Sequence, residues 1–337
     1  MRVLVTGATG LVGFETVEAL RLAGVEEVVG VSRARSSVAG ETVAWDMAAE
    51  APPAALRGEW DAIVHAAADT RWTMAPAQAR RANVDTVAAL EPLAGPGTHL
   101  IYVSTAYSVG LRGDVASAEL GDYRNTYEWS KAEAERLVRS GFPRFTVVRP
   151  PLIVGRRGDG RAARFAGMYT LLRAMSASMV PVVVADPDAF LEVVPVDAVA
   201  AVLARVVERG AGGETLTVAG GERAPRVGAA VELMMTELNQ WREERELQPF
   251  ELPRLVSRES WERFFLPFVR DELSPRQRSI LRLLSNFEPY LAIRRPLAPT
   301  DRVDDVEAAI ATAVRYWAES EPQRAALAPR PWTAVAR

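Results

Sequence analysis

The first 23 residues contain the feature that most restricts the possible fold, a strand pattern that runs through closely spaced glycines into a helix pattern. Arg2–Thr6 is a short apolar, β-branched run, and Leu11–Ala23 has the apolar spacing of a helix. Between them, Gly7, Gly10 and Gly13 are spaced G-x-x-G-x-x-G. Glycines so placed permit a tight turn, a close backbone approach to a ligand and close packing of helix on strand. The pattern predicts a strand–turn–helix unit.

Strand and helix patterns continue to alternate through the first half of the chain. The predicted strands are Glu27–Ser32, Thr42–Trp45, Asp61–Ala66, His99–Thr105 and Phe145–Arg149, and the predicted helices are Pro76–Leu93 and Tyr127–Arg139. Strands that alternate with helices are joined by right-handed crossovers and form parallel sheets. We therefore predict an α/β fold with a Rossmann-type doubly wound parallel sheet.

The second half of the chain is less regular and predicts a smaller, mostly helical C-terminal substrate region. Its predicted helices are Arg161–Met175, Asp197–Arg209 and Val303–Ser320, and its predicted strands are Pro181–Val184, Leu191–Val194 and Glu214–Val218. We expect a nucleotide-binding domain over residues 1–220, with part of the substrate region inserted at about 156–195. Residues 221–337 then form the mainly helical substrate-binding or lid region.

The composition excludes several classes of function. The chain has no cysteine, only two histidines, His65 and His99, far apart, and a formal net charge of −3 with arginines interleaved among acidic residues. We therefore expect no disulfide, no metal site and no nucleic-acid partner. No signal peptide pattern and no apolar run of transmembrane length is present, so we expect a cytoplasmic protein without a membrane span.

The glycine segment predicts a dinucleotide site, because a helix that starts after such a turn directs free N–H groups at a pyrophosphate. At the end of the second predicted strand, NAD-binding proteins carry an acidic residue that binds the adenosine ribose. Here the segment is Val31-Ser32-Arg33-Ala34-Arg35, and a guanidinium there is suited to a 2′-phosphate. The sequence therefore favours NADPH (NADP) as cofactor. The residues assigned to the turn and to the 2′-phosphate are Gly7, Thr9, Gly10, Leu11, Val12, Gly13, Ser32, Arg33 and Arg35.

Two further segments are expected to line the same site. Asp46 and Met47 follow the third predicted strand, where an adenine contact would lie. Ala66, Ala67 and Ala68 end the fourth, where small side chains let the backbone pass close to the cofactor.

The main catalytic candidates lie at the end of the fifth predicted strand and on the helix that follows. Ser104 ends that strand, at the carboxyl edge where α/β sheets bind ligands. Tyr127 and Lys131 are four residues apart and share a helix face. Of 40 basic residues 39 are arginine, so Lys131 is the only lysine. We expect Lys131 to lower the pKa of the Tyr127 phenol and to bind the nicotinamide ribose, Tyr127 to donate a proton, Ser104 to hold the substrate oxygen and Asn83 to steady the site.

Together these residues resemble the extended short-chain dehydrogenase/reductase superfamily over roughly residues 1–220. The resemblance implies the same cofactor and catalytic roles and adds Pro150 and Ile153 to the cofactor contacts. Five segments resemble the fatty acyl and carrier-protein thioester reductase branch, the male-sterility type: Ala67–Trp72, Asn125–Glu135, Val148–Gly155, Phe165–Arg173 and Val194–Asp197.

That branch implies hydride transfer to an acyl thioester, bound to CoA or to an acyl or peptidyl carrier protein, to give an aldehyde or alcohol. A possible homodimer is part of the same expectation. Three alternatives stay open: a ketone or aldehyde reductase of specialised metabolism, a nucleotide-sugar epimerase or dehydratase, and a non-catalytic NADPH sensor.

Overall fold

Eight parallel strands form the central sheet. They are β1 (Arg2–Thr6), β2 (Glu27–Ser32), β3 (Thr42–Ala44), β4 (Ala62–His65), β5 (His99–Val103), β6 (Phe145–Arg149), β10 (Thr215–Ala219) and β12 (Asp301–Arg302). Their order in the sheet is β3-β2-β1-β4-β5-β6-β10-β12. The first six follow the doubly wound order 3-2-1-4-5-6. The predicted α/β fold with a Rossmann-type parallel sheet is confirmed.

The computed structural model describes residues 1–34, 42–177, 182–210, 212–269, 278, 281 and 284–329. The chain divides into two units. Unit 1 comprises Met1–Pro151, Val196–Ala219 and Ala298–Val303, and unit 2 comprises Leu152–Pro195, Gly220–Leu297 and Asp304–Arg337. The insertion that we expected at about residue 156 begins at Leu152, and the return of Ala298–Val303 to the sheet unit was not part of our expectation.

The sheet of unit 1 is covered by two sets of helices. Helix α1 (Leu11–Leu22) packs on α6 (Val196–Arg209), and α2 (Pro76–Asn83) and α3 (Asp85–Ala88) pack on α4 (Thr126–Gly141). One core cluster joins strand residues to the buried face of α4, among them Leu4, Ile63, Leu100, Tyr102, Ala134 and Val138. Because both faces of a parallel sheet are covered, its strands are apolar at successive positions, as in Val3, Leu4 and Val5, which are all fully buried.

The predicted helix Pro76–Leu93 was wrong in its continuity. The segment contains α2, a break at Val84, α3 and a 3₁₀ turn at Glu91–Leu93. The Asn83 side chain binds the backbone of Asp69, outside the helix. Pro92 lacks the N–H that would continue a helix. Pro92 therefore gives the physical reason why α3 does not continue to Leu93, and the Asn83 contact with Asp69 lies beside the break at Val84.

The described residues of unit 2 include two short parallel strand pairs and several helices. Strand β7 (Leu152–Val154) pairs with β9 (Val193–Pro195), and β8 (Val182–Val184) pairs with β11 (Arg254–Val256). The longer helices are α5 (Met168–Ser176), α7 (Val227–Glu243) and α10 (Val306–Ser320); the shorter ones are α8 (Arg258–Ser260), a π segment at Trp261–Phe265, α9 (Leu266–Val269) and α11 (Pro322–Ala325). Helix α5 starts seven residues later than predicted, because Gly167 has a φ of 59° and interrupts the helix.

Among the described residues, no helix is both long and apolar enough to cross a bilayer.

Both histidines are buried in the sheet of unit 1. His65 Nδ1 lies 2.8 Å from Thr6 Oγ1, and its ring stacks on Tyr102 with 5.9 Å between centroids. Burial, followed by the charge of Lys131, lowers the pKa of His65 to about 3. Burial, followed by Arg144 and Arg209, lowers the pKa of His99 to about 4. Both imidazoles are therefore neutral in the folded chain at physiological pH.

This burial predicts a loss of stability on mild acidification. An unfolded histidine binds a proton near pH 6.5, whereas His65 and His99 stay neutral in the folded state. Stability that is present above that pH therefore falls as the pH decreases through 6.5 towards the folded pKa values, by at most about 1.4 kcal/mol per pH unit for each group. We expect His65→Gln to reduce the change in the urea midpoint between pH 7.5 and pH 5. An unchanged pH dependence in the folded variant would contradict this assignment.

Candidate active site

The glycine turn brings two backbone segments of unit 1 into direct contact. Gly7 has a φ of 69°, and a Cβ placed there would lie 2.8 Å from backbone atoms of Ala67, after β4. A Cβ on Gly13 would overlap the carbonyl oxygen of Gly7. Helix α1 begins at Leu11 after Gly10, which supplies no side-chain cap. The first N–H groups of a helix, here those of Leu11, Val12 and Gly13, have no acceptor within the helix. This cradle therefore fits a dinucleotide pyrophosphate.

The end of β2 presents one arginine rather than a carboxylate. Arg33 is exposed, and its charge is one of the minor causes that lower the pKa of Asp69, after the hydrogen bond from Arg71. The Ser32 hydroxyl donates to the Ala34 carbonyl at 2.6 Å and lies 2.8 Å from the Thr42 hydroxyl. Ser32 therefore links the end of β2 to Ala34 and to the start of β3, and Arg33 is the described arginine at this strand end. Arg35 lies outside the described residues.

The remaining predicted cofactor residues occupy different environments. Asp46 is exposed and accepts from the Ala48 N–H at 3.2 Å, while Met47 belongs to the core cluster. Ala66 and Ala67 are half-buried and Ala68 is exposed. Thr9 is half-buried within the glycine turn. The Pro150 carbonyl accepts from the Ala106 N–H at 2.9 Å, and Ile153 lies on β7 of unit 2.

Helix α4 carries the catalytic candidates on one face. The Asn125 side chain caps its start by accepting from the Glu128 N–H at 3.0 Å. Tyr127, Lys131 and Glu135 follow at intervals of four residues and so lie along one side of the helix. The Asn125 cap, two residues before Tyr127, therefore sets the start of α4.

Lys131 is buried between α4 and the end of β5. Its Nζ donates to the Val103 carbonyl at 2.7 Å and lies 4.2 Å from the centre of the Tyr102 ring. Burial lowers the pKa of Lys131 to about 7, against the opposing influence of the Glu135 carboxylate. The only lysine of the chain is thus close to its titration point at neutral pH.

Tyr127 lies one turn before Lys131, and its hydroxyl makes no hydrogen bond to a described residue. Burial, and then the Glu128 carboxylate, raise the pKa of this phenol above its usual value. We expected Lys131 to lower the pKa of Tyr127, but the Lys131 ammonium donates to the Val103 carbonyl instead. A raised pKa keeps Tyr127 protonated, which is the state of a proton donor.

The Ser104 hydroxyl is already bonded within the protein. It donates to Glu135 Oε1 at 2.5 Å. The sequence analysis did not single out Glu135, although its place one turn after Lys131 was a usable signal. Thr105, the next hydroxyl along the chain, was also missed; its Oγ1 accepts from the Tyr107 N–H at 3.4 Å.

Asn83 connects three segments beside this helix face. Its Oδ1 accepts from the Asp69 N–H at 2.8 Å, and its Nδ2 donates to the Asp69 carbonyl at 3.1 Å and to Ser130 Oγ at 2.9 Å. Asn83 thereby joins the end of α2 to the loop after β4 and to the residue before Lys131. Two of these bonds are to the backbone of Asp69 and one is to the Ser130 side chain; the steadying role of Asn83 stays a prediction.

Known protein structures share this fold over almost the whole chain. The terminal R domain of the myxalamid PKS-NRPS biosynthetic pathway is 20% identical, with a TM-score of 0.69 over 98% of this chain and 92% of that one. The reductase domain of PhqB from Penicillium fellutanum is 16% identical, with a TM-score of 0.64 over 95% and 93%. The UDP-Glc/GlcNAc 4-epimerase of Campylobacter jejuni is 14% identical, with a TM-score of 0.62 over 94% and 99%. At these identities the likeness establishes the fold.

The family comparison adds information at the level of sequence. The model of the male sterility protein family, an NAD-binding domain, matches residues 49–203, which include Asn83, Ser104, Tyr127 and Lys131. No curated relative is similar enough in sequence to match the chain. The nicotinamide-binding domain, the Rossmann-type sheet and the family match agree with the resemblance drawn from the sequence, which is confirmed. Residues 49–203 therefore match an NAD-binding domain of the male sterility type, and the chain is an oxidoreductase that resembles the extended short-chain dehydrogenase/reductase superfamily.

Proposed function

We propose that this enzyme uses NADPH to reduce the carbonyl of an acyl thioester and releases an aldehyde or, after a second reduction, an alcohol. The observation that carries the proposal is the Tyr127 hydroxyl, which bonds no residue that the structure describes and lies one turn before the buried Lys131. The male-sterility match and the fold shared with two reductase domains support it. The name of the myxalamid R domain further supports a substrate presented by a carrier protein in trans.

The cofactor would be held by the glycine turn and the start of α1, with Arg33 at its 2′-phosphate and Lys131 at its nicotinamide ribose. When bound, the reduced nicotinamide supplies the hydride. The helix N-terminus neutralises part of the pyrophosphate charge. Arg33 adds a charged hydrogen bond that NADH could not receive.

The protein's own contribution is the movement of one proton at the substrate oxygen. As the carbonyl carbon gains a hydride, its oxygen takes the proton of the Tyr127 hydroxyl, giving a hemithioacetal. Breaking the C–S bond then releases the aldehyde, and the sulfur leaves as a thiol after taking up the hydroxyl proton. The Lys131 ammonium stabilises the phenolate left on Tyr127 until a solvent proton restores it.

Thr105 is our candidate for the hydroxyl that orients the substrate oxygen. The Ser104 proton is committed to Glu135, so its use on a substrate would leave a buried carboxylate with one donor fewer. Within the described part of the chain, the Thr105 hydroxyl has one long hydrogen bond, which it accepts from the Tyr107 N–H at 3.4 Å. We therefore propose that Thr105 orients the substrate and that Ser104 acts structurally, which revises the role first expected of Ser104.

The proposal is tested by incubating the protein with NADPH and, in turn, acyl-CoA thioesters, carrier-bound acyl groups, aldehydes, ketones and UDP-sugars. Absorbance of the reduced nicotinamide reports turnover, with Tyr127→Phe as the inactive reference. Thioester-dependent oxidation supports the proposal. Turnover of ketones alone would favour the alternative reductase. Epimerisation leaves the nicotinamide absorbance unchanged, so the UDP-sugar incubation is repeated with NAD⁺ and followed by chromatography of the sugars. Conversion of a UDP-sugar there would favour the alternative of an epimerase. Cofactor binding without turnover would favour a sensor.

Lys131→Arg should reduce kcat by about 100-fold or more, a typical loss for acid–base machinery. Arginine keeps the charge, but its planar fork does not reproduce the compact ammonium that bonds the Val103 carbonyl. Lys131→Met, which keeps the length and removes the charge, is the reference for complete loss. Circular dichroism checks that both variants are folded. Near-normal turnover in folded Lys131→Arg would contradict a catalytic role for the lysine.

Thr105→Val should lower kcat by at least about tenfold while leaving the thermal midpoint nearly unchanged. Ser104→Ala should do the reverse, because it deprives Glu135 of a donor and costs about 1–3 kcal/mol of stability. Parallel steady-state kinetics and thermal melts separate the two effects. If Ser104→Ala loses more turnover than Thr105→Val at equal stability, the original assignment of Ser104 is correct.

Arg33→Ala should weaken NADPH binding about tenfold or more and leave NADH binding unchanged, because a charged hydrogen bond contributes about 1.5–3 kcal/mol. Fluorescence titration with each nucleotide measures this difference without turnover. Arg112→Ala, at an exposed arginine paired with Asp122, is the matched control. Equal weakening of both nucleotides would remove the 2′-phosphate role of Arg33.

A further inference from the structure

Glu135 is a fully buried carboxylate to which the reaction assigns no step. Its Oε1 accepts from Ser104 at 2.5 Å, from Ser108 at 2.6 Å and from Arg149 Nε at 2.9 Å. Arg149 Nη2 donates to its Oε2 at 2.5 Å, and Arg139 Nη2 lies 3.7 Å from the same oxygen. A buried carboxylate is costly unless donors surround it. The donors from Ser104, Ser108 and Arg149 therefore satisfy the hydrogen-bonding capacity of this buried carboxylate.

Helix α4 holds the end of β5 at two successive turns. Lys131 bonds the carbonyl of Val103, and Glu135 bonds the hydroxyl of the next residue, Ser104. Arg149, at the end of β6, binds Glu135 through both of its carboxylate oxygens. Glu135 binds Ser104, the residue next to Val103, and so holds in place the Val103 carbonyl that accepts from Lys131.

The charges around Lys131 come from three elements packed together. His65 on β4 is neutral, and Tyr102 on β5 presents its ring and has its pKa raised by burial and then by Glu135. On α4 itself lie the protonated Tyr127 and the carboxylate of Glu135, whose negative charge is shared with Arg149 and Arg139. Among the described groups, Glu135 is the carboxylate that favours the charged form of Lys131.

We propose that Glu135 is a positioning residue that keeps the buried Lys131 protonated and aimed at the end of β5. Glu135 acts on the charge of Lys131 because the two side chains are four residues apart on α4 and are therefore neighbours. The aim of the Lys131 side chain follows from the Ser104 and Arg149 bonds. The inference rests on the proposed function only for the role of the ammonium in stabilising the Tyr127 phenolate. The protonation of Lys131 can be measured without turnover.

The single lysine makes that measurement direct. Protein labelled with ¹³C-lysine gives one side-chain Cε signal, because Lys131 is the only lysine, and its chemical shift against pH yields the pKa. Burial places that pKa at about 7 in the native chain. In Glu135→Gln the favourable carboxylate charge is lost, so the pKa of Lys131 should fall by about 1 unit.

Two further variants keep the test decisive. Arg149→Gln removes the main cation that offsets Glu135, so the pKa of Lys131 should rise, in the opposite direction. This variant decides the matter if Glu135→Gln does not fold. Glu133→Gln is the matched control, because it removes a carboxylate from α4 that pairs with Arg80 instead and should leave the Lys131 titration unchanged. Unchanged titration in folded Glu135→Gln, or in folded Arg149→Gln, overturns the proposal.

Kinetics then distinguish this inference from the proposed function. If the protonated lysine is needed, the alkaline limb of the kcat profile should shift to lower pH in Glu135→Gln, in step with the Lys131 pKa. A purely structural role would lower kcat equally at every pH, which would contradict the proposal. Should the native protein reduce no carbonyl, the proposed function fails, and the lysine titration still decides the role of Glu135.

Discussion

The site depends on one buried interaction, the hydrogen bond from the Lys131 ammonium to the carbonyl that ends β5. Removing a cationic group from water is costly, and that cost brings the pKa of the only lysine close to neutrality. The same contact holds the helix that carries Tyr127 against the strand end where α/β sheets bind ligands. The Lys131 side chain therefore links the protonation equilibrium of the site to the packing of α4 on β5.

The parallel sheet makes this coupling possible. Because β1, β4 and β5 are adjacent and parallel, their carboxyl ends lie at one edge of the sheet. The glycine turn after β1, the alanines after β4 and the hydroxyls after β5 are therefore close in space although far apart in sequence. Gly7 and Gly13 let two backbone segments touch there. Side chains at these positions would separate the elements that form the proposed cofactor site.

Much of this could be predicted from local patterns. The strand bounds of β1, β2 and β6 and the start of α1 follow from apolar runs and the glycine turn, which depend on neighbouring residues only. The break in the helix at Val84 could not be predicted, because it involves Asn83 binding a loop fourteen residues earlier. The Ser104–Glu135 bond joins residues 31 positions apart, so no local pattern contains it. The prediction that Lys131 lowers the pKa of Tyr127 was wrong for the same reason. The burial of the phenol and the bond from Lys131 to the Val103 carbonyl both depend on the fold.

The central claim is that this site delivers hydride to a thioester carbonyl while Tyr127 protonates its oxygen. The most direct test uses NADPH in which both hydrogens at C4 of the nicotinamide are replaced by deuterium, a saturated acyl-CoA and mass spectrometry of the products. The account predicts an aldehyde or alcohol with deuterium on the former carbonyl carbon, and none of it with Tyr127→Phe. Oxidation of the cofactor without deuterium in an aldehyde or alcohol, or equal labelling with Tyr127→Phe, would contradict it.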